Sequence, residues 1–202
     1  AVSITAALQK NAGITIGNIV GSNILNVLII LGVTAVITNV AIQTSTFRYE
    51  IPFMMVVTII LLVFGITGGE VTFVEGIIFW VLFLLYLGYL FVMAKKGTNE
   101  EEGETKDYPV WKCILFMVIG GVLVVKGSDF AVSGASAIAR YFGMSERFIG
   151  LTIVALGTSL PELVTSVTAA RKGNAGIAIG NIVGSNIFNI LFVIGTHLYS
   201  AI

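Results

Sequence analysis

The sequence predicts an all-α protein: a polytopic membrane helix bundle of about six spans plus a partial one. Of the 202 residues, 56% are hydrophobic and only 11% are charged, and long segments carry no charge at all. Soluble domains usually contain about 25% charged residues, whereas a membrane-spanning helix needs about 20 mostly apolar residues. In addition, one segment occurs twice, which predicts two copies of the same helical unit.

The apolar segments give the predicted helices in order along the chain. They cover about 14–38, 51–65, 71–93, 111–141, 145–171 and 176–200, and residues 1–12 form the tail of a further helix. Arg48 and Glu50 mark a predicted polar turn before the second helix. That helix is short for a span unless it extends back through Arg48.

A single strongly polar segment, residues 94–110, separates the two halves of the chain, 1–93 and 111–202. Its acidic run is typical of a solvated linker and lacks the spacing of an EF-hand calcium loop. If this linker lies in the cytoplasm, seven Lys and Arg residues fall on its side of the membrane and three on the other. The positive-inside rule therefore predicts a multi-pass protein of the cell membrane with a cytoplasmic linker.

Several classes of function are disfavoured by composition. The net charge is zero, so nothing indicates a nucleic-acid partner. The lone cysteine, Cys113, excludes an intrachain disulfide and a zinc cluster. We expect no enzyme activity and no cofactor, and the lone histidine, His197, receives no role.

The repeat links residues 3–32 with residues 166–195 at an offset of 163, and 20 of the 30 positions are identical. In the predicted topology the two copies start on opposite sides of the membrane and are therefore inverted. Inverted repeats place binding sites near the bilayer midplane, where the copies meet. A duplication kept only for packing is the alternative, but such a repeat has no need of so many amides and hydroxyls at mid-depth.

Polar side chains recur at matching positions of both copies. Ser22 and Asn26 are four residues apart and share one helix face, and Ser185 and Asn189 repeat this arrangement. Hydroxyl and amide oxygens suit hard cations such as Na⁺ and Ca²⁺. Hydrogen bonding between helices is the alternative role. Asn26 and Asn189 are predicted to line a cation site, and the neighbouring amides are further candidates: Asn23 and Asn186.

The helix before the second copy is predicted to break. Pro161 has no N–H and clashes with the carbonyl of Gly157, which frees carbonyls within residues 155–158. Glu162 follows the break directly, and a carboxylate in mid-membrane is costly unless it is compensated. A bound calcium ion would compensate it. The alternatives are a protonated structural Glu162 or an ion pair with Lys126.

These motifs resemble a known family. GTSLPELVTS at 157–166, with GNIVGSNIFN at 180–189, resembles the second α-repeat of the sodium/calcium exchanger family, within the cation/calcium antiporter superfamily. GNIVGSNILN at 17–26 resembles the C-terminal part of the first α-repeat, and 124–135 resembles the long helix between linker and second repeat. On the family's pattern of ten helices, residues 1–93 would hold the end of the second helix and the third to fifth. Residues 111–202 would hold the sixth to eighth.

The resemblance implies secondary active transport that exchanges Ca²⁺ for Na⁺ by alternating access, with the family's sixth helix sliding alongside its first. It implies these two ions and the lipid bilayer as partners. The cation ligands that it implies are Glu162, Thr158, Ser159, the carbonyl of Ala155, Ser185, Asn189, Ser22 and Asn26.

Two departures from the family pattern leave alternatives open. Some exchangers carry Asp at the position of Asn189, and the amide here leaves Na⁺, K⁺ or H⁺ coupling unassigned. The first-repeat partner of Glu162 would fall before residue 1, so we expect a fragment, completed by the missing helices of the full-length protein or by a second copy. The alternative functions are a Ca²⁺/H⁺ antiporter on the same scaffold, a passive cation channel and a non-transporting membrane fragment.

Overall fold

The computed structural model describes residues 12–68, 72–96 and 108–196. Within these ranges, helices are the regular secondary structure and no strand occurs. Five of the described helices are long and apolar enough to cross a membrane, and a bent pair makes a sixth candidate span. The predicted all-α membrane bundle is therefore confirmed, while the predicted helix tail before residue 12 and most of the linker lie outside the described residues.

We number the helices α1 to α7 in chain order; several include a π-helical stretch. Their bounds are Ala12–Leu25, Asn26–Ile30 (π) and Leu31–Ile37 for α1; Thr46–Glu50 (π) and Ile51–Gly68 for α2; Phe73–Lys96 for α3; Val110–Tyr141 for α4; Glu146–Ile149, Gly150–Val154 (π) and Ala155–Thr158 for α5; Leu160–Arg171 for α6; and Ala175–Phe188 and Asn189–Ile194 (π) for α7.

The predicted polar turn at Arg48 and Glu50 is wrong. Both residues belong to the π-helical start of α2, and the Ile51 N–H bonds to the Thr46 carbonyl, so the helix runs on without a turn. The extension of this span back through Arg48 is thereby confirmed. A charged residue one turn inside a span is tolerated because its long side chain reaches the membrane interface.

α7 is the central helix of the bundle and α4 is peripheral. More than half of the most apolar stretch of α7 is buried, whereas none of that of α4 is. The core between α7 and its neighbours is aromatic and aliphatic; Phe79 of α3 and Leu191 of α7 are fully buried. The Trp80 ring of α3 meets the Phe192 ring of α7 edge-on at 5.2 Å between centroids. The main contacts of α4 are with α5 and α6.

Two close approaches fix the direction of α7. Gln43, just after α1, lies so near Gly176 that a Cβ there would be 2.9 Å from its Nε2 atom. At the other end of α7, a Cβ on Gly195 would be 3.0 Å from the ring of Trp80. The end of α1 and the start of α7 therefore lie at the same face of the bundle. The two repeat helices run in opposite directions, as the inverted repeat predicts.

Candidate cation site

The site is built around a broken helix. α5 ends at Thr158, α6 begins at Leu160, and the two axes are bent by 56° at Ser159. Pro161 lies in the first turn of α6, where a missing N–H costs nothing. It also cannot donate to the Gly157 carbonyl, which is why α5 does not continue. The predicted proline-broken helix is confirmed.

Helix α4 crosses this break in direct contact. A Cβ on Gly157 would lie 2.1 Å from Cγ2 of Val132, far inside van der Waals distance. Valine is branched at Cβ and its χ1 is stiff, so it has little freedom to move aside. Glycine at position 157 is thus the residue that lets α4 approach the broken helix.

A cavity of about 530 Å³ lies where α1, α4, the broken helix and α7 meet. The described residues of its wall include two carboxylates, several hydroxyls and two amides, but no Lys, Arg or His. Such an oxygen-rich wall suits hard cations. The wall consists of Asn18, Ser22, Val125, Ser128, Asp129, Val132, Ser133, Val154, Gly157, Thr158, Pro161, Glu162 and Asn189.

Glu162 is the half-buried carboxylate of this wall. Its Oε2 atom is buried and accepts no hydrogen bond from any described residue. It lies in the first turn of α6, where the helix dipole stabilises negative charge. The neighbouring Ser159 is 5% exposed, and its Oγ likewise lacks a partner in the described part of the chain. Two oxygens with no described partner thus lie beside the break, and a bound cation would compensate both.

Four of the eight predicted ligands lie on the cavity wall: Ser22, Thr158, Glu162 and Asn189. The hydroxyls of Ser22 and Thr158 are hydrogen-bonded at 3.3 Å, which joins α1 to the end of α5 across the site. The structure therefore gathers side chains from both repeat copies around Glu162.

The other predicted ligands have different positions. Asn26 is 1% exposed, and its Nδ2 donates to Ser185 Oγ at 3.2 Å and to Asn186 Oδ1 at 2.9 Å. Asn26, Ser185 and Ser159 are not among the wall residues. Ala155 begins the last helical piece of α5, one turn before Thr158.

A network of side-chain amides joins α1 to α7 where the two helices cross. Asn23 Nδ2 donates to the Asn186 carbonyl at 3.2 Å, and Asn186 Nδ2 donates to the Asn23 carbonyl at 3.4 Å. Asn26 Nδ2 donates to Asn186 Oδ1, and correspondingly Asn189 Nδ2 donates to Asn23 Oδ1 at 3.1 Å. These partners are exchanged by the repeat offset of 163. Asn23 and Asn186 thus fill the interhelical hydrogen-bonding role that the sequence left open for them.

The π-helical stretches of α1 and α7 begin at Asn26 and Asn189, which are equivalent positions of the two copies. Single π turns inside α-helices are frequent at functional sites. The irregular geometry therefore coincides with the residues predicted to line the site.

Comparison with known proteins agrees with this geometry. The family model described as sodium/calcium exchanger protein matches residues 1–92 and 112–202, nearly the whole chain. The chain belongs to the sodium/calcium exchanger family.

Two relatives of this exchanger-family chain are an antiporter and an exchanger by name. It is 39% identical over 201 residues to the putative antiporter CaxA of Alkalimonas amylolytica, covering 96% of the chain and 63% of CaxA. It is 31% identical to the sodium/calcium exchanger MaX1 of Methanosarcina acetivorans, covering 96% of the chain and 67% of MaX1.

A structure of the sodium-calcium exchanger NCX_Mj soaked with Na⁺ and Sr²⁺ superposes with a TM-score of 0.79 at 32% identity, covering 97% of this chain and 64% of that one. The chain spans less than two thirds of the length of CaxA and of NCX_Mj.

Sequence reasoning missed part of the cavity wall in this family member, above all Asp129. The sequence shows Asp129 in the middle of an apolar span, and an intramembrane carboxylate is by default a functional-site candidate. Asn18, Ser128 and Ser133 gave no comparable signal. Lys126 is exposed, and no ion pair joins it to Glu162, although both residues are described; the ion-pair alternative for Glu162 is therefore not supported.

Proposed function

We propose that the protein is a secondary active transporter that exchanges Ca²⁺ for Na⁺ across the cell membrane by alternating access. One observation carries the proposal. The Oε2 atom of Glu162 is buried without a described hydrogen-bond partner, beside a cavity whose other polar groups are hydroxyls, amides and one further carboxylate. A carboxylate at the bilayer centre costs about 2.5–3.5 kcal/mol on insertion scales, and a transported cation is the partner that would offset this cost.

The roles of the predicted ligands follow from their positions. Glu162, Thr158, Ser22 and Asn189 contact a cation in the cavity directly. A second group of ligands lies behind the cavity wall and binds the cation once the site closes around it: Ser159, the Ala155 carbonyl, Ser185 and Asn26. Ser159 Oγ and Asn26 Oδ1 are buried acceptors without described partners, which favours this role for them.

The organisation of the whole protein belongs to the same proposal. Residues 1–93 and 111–202 are the two inverted halves, and the segment 94–110 is a cytoplasmic linker between them. The broken helix and the inverted repeat favour a carrier over a passive channel, because both are typical of alternating-access transporters. The names of CaxA and MaX1 agree with antiport.

Uptake of radioactive Ca²⁺ into proteoliposomes tests the proposal, using the protein as its full gene encodes it. An outward Na⁺ gradient should drive Ca²⁺ inward against its own gradient, and collapse of the Na⁺ gradient should stop it. Uptake that ignores Na⁺ but follows a pH gradient would assign Ca²⁺/H⁺ exchange. Flux that only dissipates the Ca²⁺ gradient would assign a channel.

Glu162→Gln should reduce Na⁺-driven Ca²⁺ uptake to the level of empty liposomes, because it removes the charge with little change in volume. Glu75→Gln is the matched control. Glu75 accepts a hydrogen bond from the Thr72 N–H at the start of α3, and a glutamine retains that bond. Uptake at the wild-type rate in Glu162→Gln would refute the site assignment.

A further inference from the structure

Asp129 of α4 is the second carboxylate of the cavity, and the exchange mechanism proposed above gives it no role. Asp129 precedes Val132 by three positions and therefore lies on the same face of α4. Val132 contacts Gly157 at the helix break. This face of α4 is therefore directed at Thr158 and Glu162. The adjacent Ser128 bonds its Oγ to the Val124 carbonyl at 2.8 Å, so that hydroxyl is occupied within its own helix.

The two carboxylates differ in how far the protein encloses them. Asp129 is exposed, whereas Glu162 is half-buried and its Oε2 atom is fully enclosed. No described basic residue lies on the wall to neutralise either one, and Asn189, which faces them from α7, is a neutral amide. Asp129 is therefore the less enclosed of the two carboxylates on the wall of this cavity.

The electrostatics of such an arrangement favour divalent ions. A fixed negative charge attracts a divalent cation twice as strongly as a monovalent one at the same distance. Clefts lined with one sign of charge raise the local concentration of the opposite ion and its association rate, and salt weakens this effect.

We propose that Asp129 is a selectivity-determining residue of the site, which concentrates Ca²⁺ over Na⁺ in the cavity that it shares with Glu162. This inference rests on the proposed function, since it assumes that the cavity at Glu162 is the cation site. Asp129 sets the apparent affinity for Ca²⁺, and Glu162 sets whether transport occurs at all.

The test compares Asp129→Asn with Asp129→Glu and with Glu75→Gln, in the protein as its full gene encodes it. For Asp129→Asn, we expect the KM for Ca²⁺ to rise about fivefold, with a maximal rate close to that of wild type. The KM should also lose most of its dependence on ionic strength, measured as choline chloride is added. Asp129→Glu keeps the charge and should keep the ionic-strength dependence, and Glu75→Gln should match wild type in both respects.

Two results would overturn the role of Asp129. One is an unchanged KM and an unchanged ionic-strength dependence in Asp129→Asn. The other is loss of uptake at saturating Ca²⁺, which would make Asp129 a direct ligand or a structural residue. Calorimetric titration of the purified protein with Ca²⁺ separates the two levels of the proposal. Binding that weakens in Asp129→Asn supports the role of Asp129 even if wild type shows no exchange, whereas no Ca²⁺ binding by wild type refutes both the site and that role.

Discussion

At the scale of single residues, the site combines polar groups that are hydrogen-bonded with buried acceptors that have no described partner. Asn186 donates to the Asn23 carbonyl and accepts from Asn26, so both the donor and the acceptor of its side-chain amide have a partner. Glu162 Oε2 and Ser159 Oγ have no partner in the described ranges. Buried polar atoms in native proteins are nearly always paired, and each exception needs an explanation. Among the described residues three of the four exceptions belong to predicted cation ligands, namely Glu162 Oε2, Ser159 Oγ and Asn26 Oδ1, and the fourth is the Tyr89 hydroxyl of α3.

Asn189→Asp should lower stability without cation and increase the stabilisation that Ca²⁺ provides. The aspartate loses the donor to Asn23 Oδ1 and places a charged acceptor where that 3.1 Å hydrogen bond was. Leaving a buried acceptor unsatisfied costs about 1–3 kcal/mol, whereas the added charge strengthens divalent binding. Thermal unfolding in detergent should show a lower Tm for the variant alone and a larger rise in Tm with Ca²⁺.

Asn181→Asp is the control on the same helix. Asn181 donates to the Glu162 carbonyl and to Ser166 Oγ, and it is not on the cavity wall. This variant should also have a lower Tm, but its gain with Ca²⁺ should remain that of wild type. Equal gains in the two variants would contradict the assignment of Asn189 to the site.

At the scale of elements, the contact between α4 and the broken helix depends on one glycine. Gly157 is the point where Val132 touches the backbone of α5, just before the bend. The contact lets α4 lie against the cavity and carry Asp129 to its wall. α4 corresponds to the family's sixth helix, which the resemblance implies slides during alternating access, and the absence of a side chain at Gly157 leaves room for that movement.

Gly157→Ala should destabilise the protein and slow exchange, because the new methyl group overlaps the Val132 side chain. Overpacking of this kind typically costs about 1–3 kcal/mol. Adding Val132→Ala should restore much of the lost Tm and rate. Gly134→Ala on α4 is the control, since a Cβ there meets no atom within 4 Å. A Gly157→Ala variant as stable and active as wild type would show that α4 does not pack here as described.

The sequence predicted the break of this helix but not what packs against it. Pro161 is sufficient to predict the break just before Glu162, because the effect of proline on the preceding turn is local. The approach of Val132 depends on how two distant helices cross, which no local pattern specifies. The same limit explains Asp129, because its place on the cavity wall depends on where α4 crosses the broken helix. Conversely, Arg48 and Glu50 suggested a turn because charged residues usually mark the end of an apolar span. In the structure they belong to the π-helical start of α2.

At the scale of the whole molecule, the two repeat helices cross in opposite directions, with α7 buried at the centre and α4 outside. The exchange of hydrogen bonds at an offset of 163 gives this crossing an approximate two-fold symmetry. The fold class could therefore be predicted well from composition and the repeat. The assignment of Asn26 and Ser185 to positions behind the wall could not, because face-sharing on one helix does not specify which neighbour fills the gap.

Labelling with a membrane-impermeant maleimide should place Cys113 in the cytoplasm. Cys113 is the only cysteine in the sequence, and it is exposed near the start of α4. In intact cells Cys113 should stay unlabelled and in everted vesicles it should react. On a Cys113→Ser background, Lys172→Cys should behave like Cys113, and Met144→Cys should show the opposite pattern. Reaction of Met144→Cys and Lys172→Cys from one side would contradict the inverted topology.

The reciprocal bonds of Asn23 and Asn186 have an evolutionary consequence. In a duplicated gene, each copy is ordinarily free to drift once the other preserves the original role. Here each copy is the binding partner of the other, since the side chain of either asparagine bonds to the backbone of its counterpart. Drift at one position removes a bond made by both halves. A change in either copy therefore removes a bond between the halves, and we expect relatives to keep asparagine at both positions.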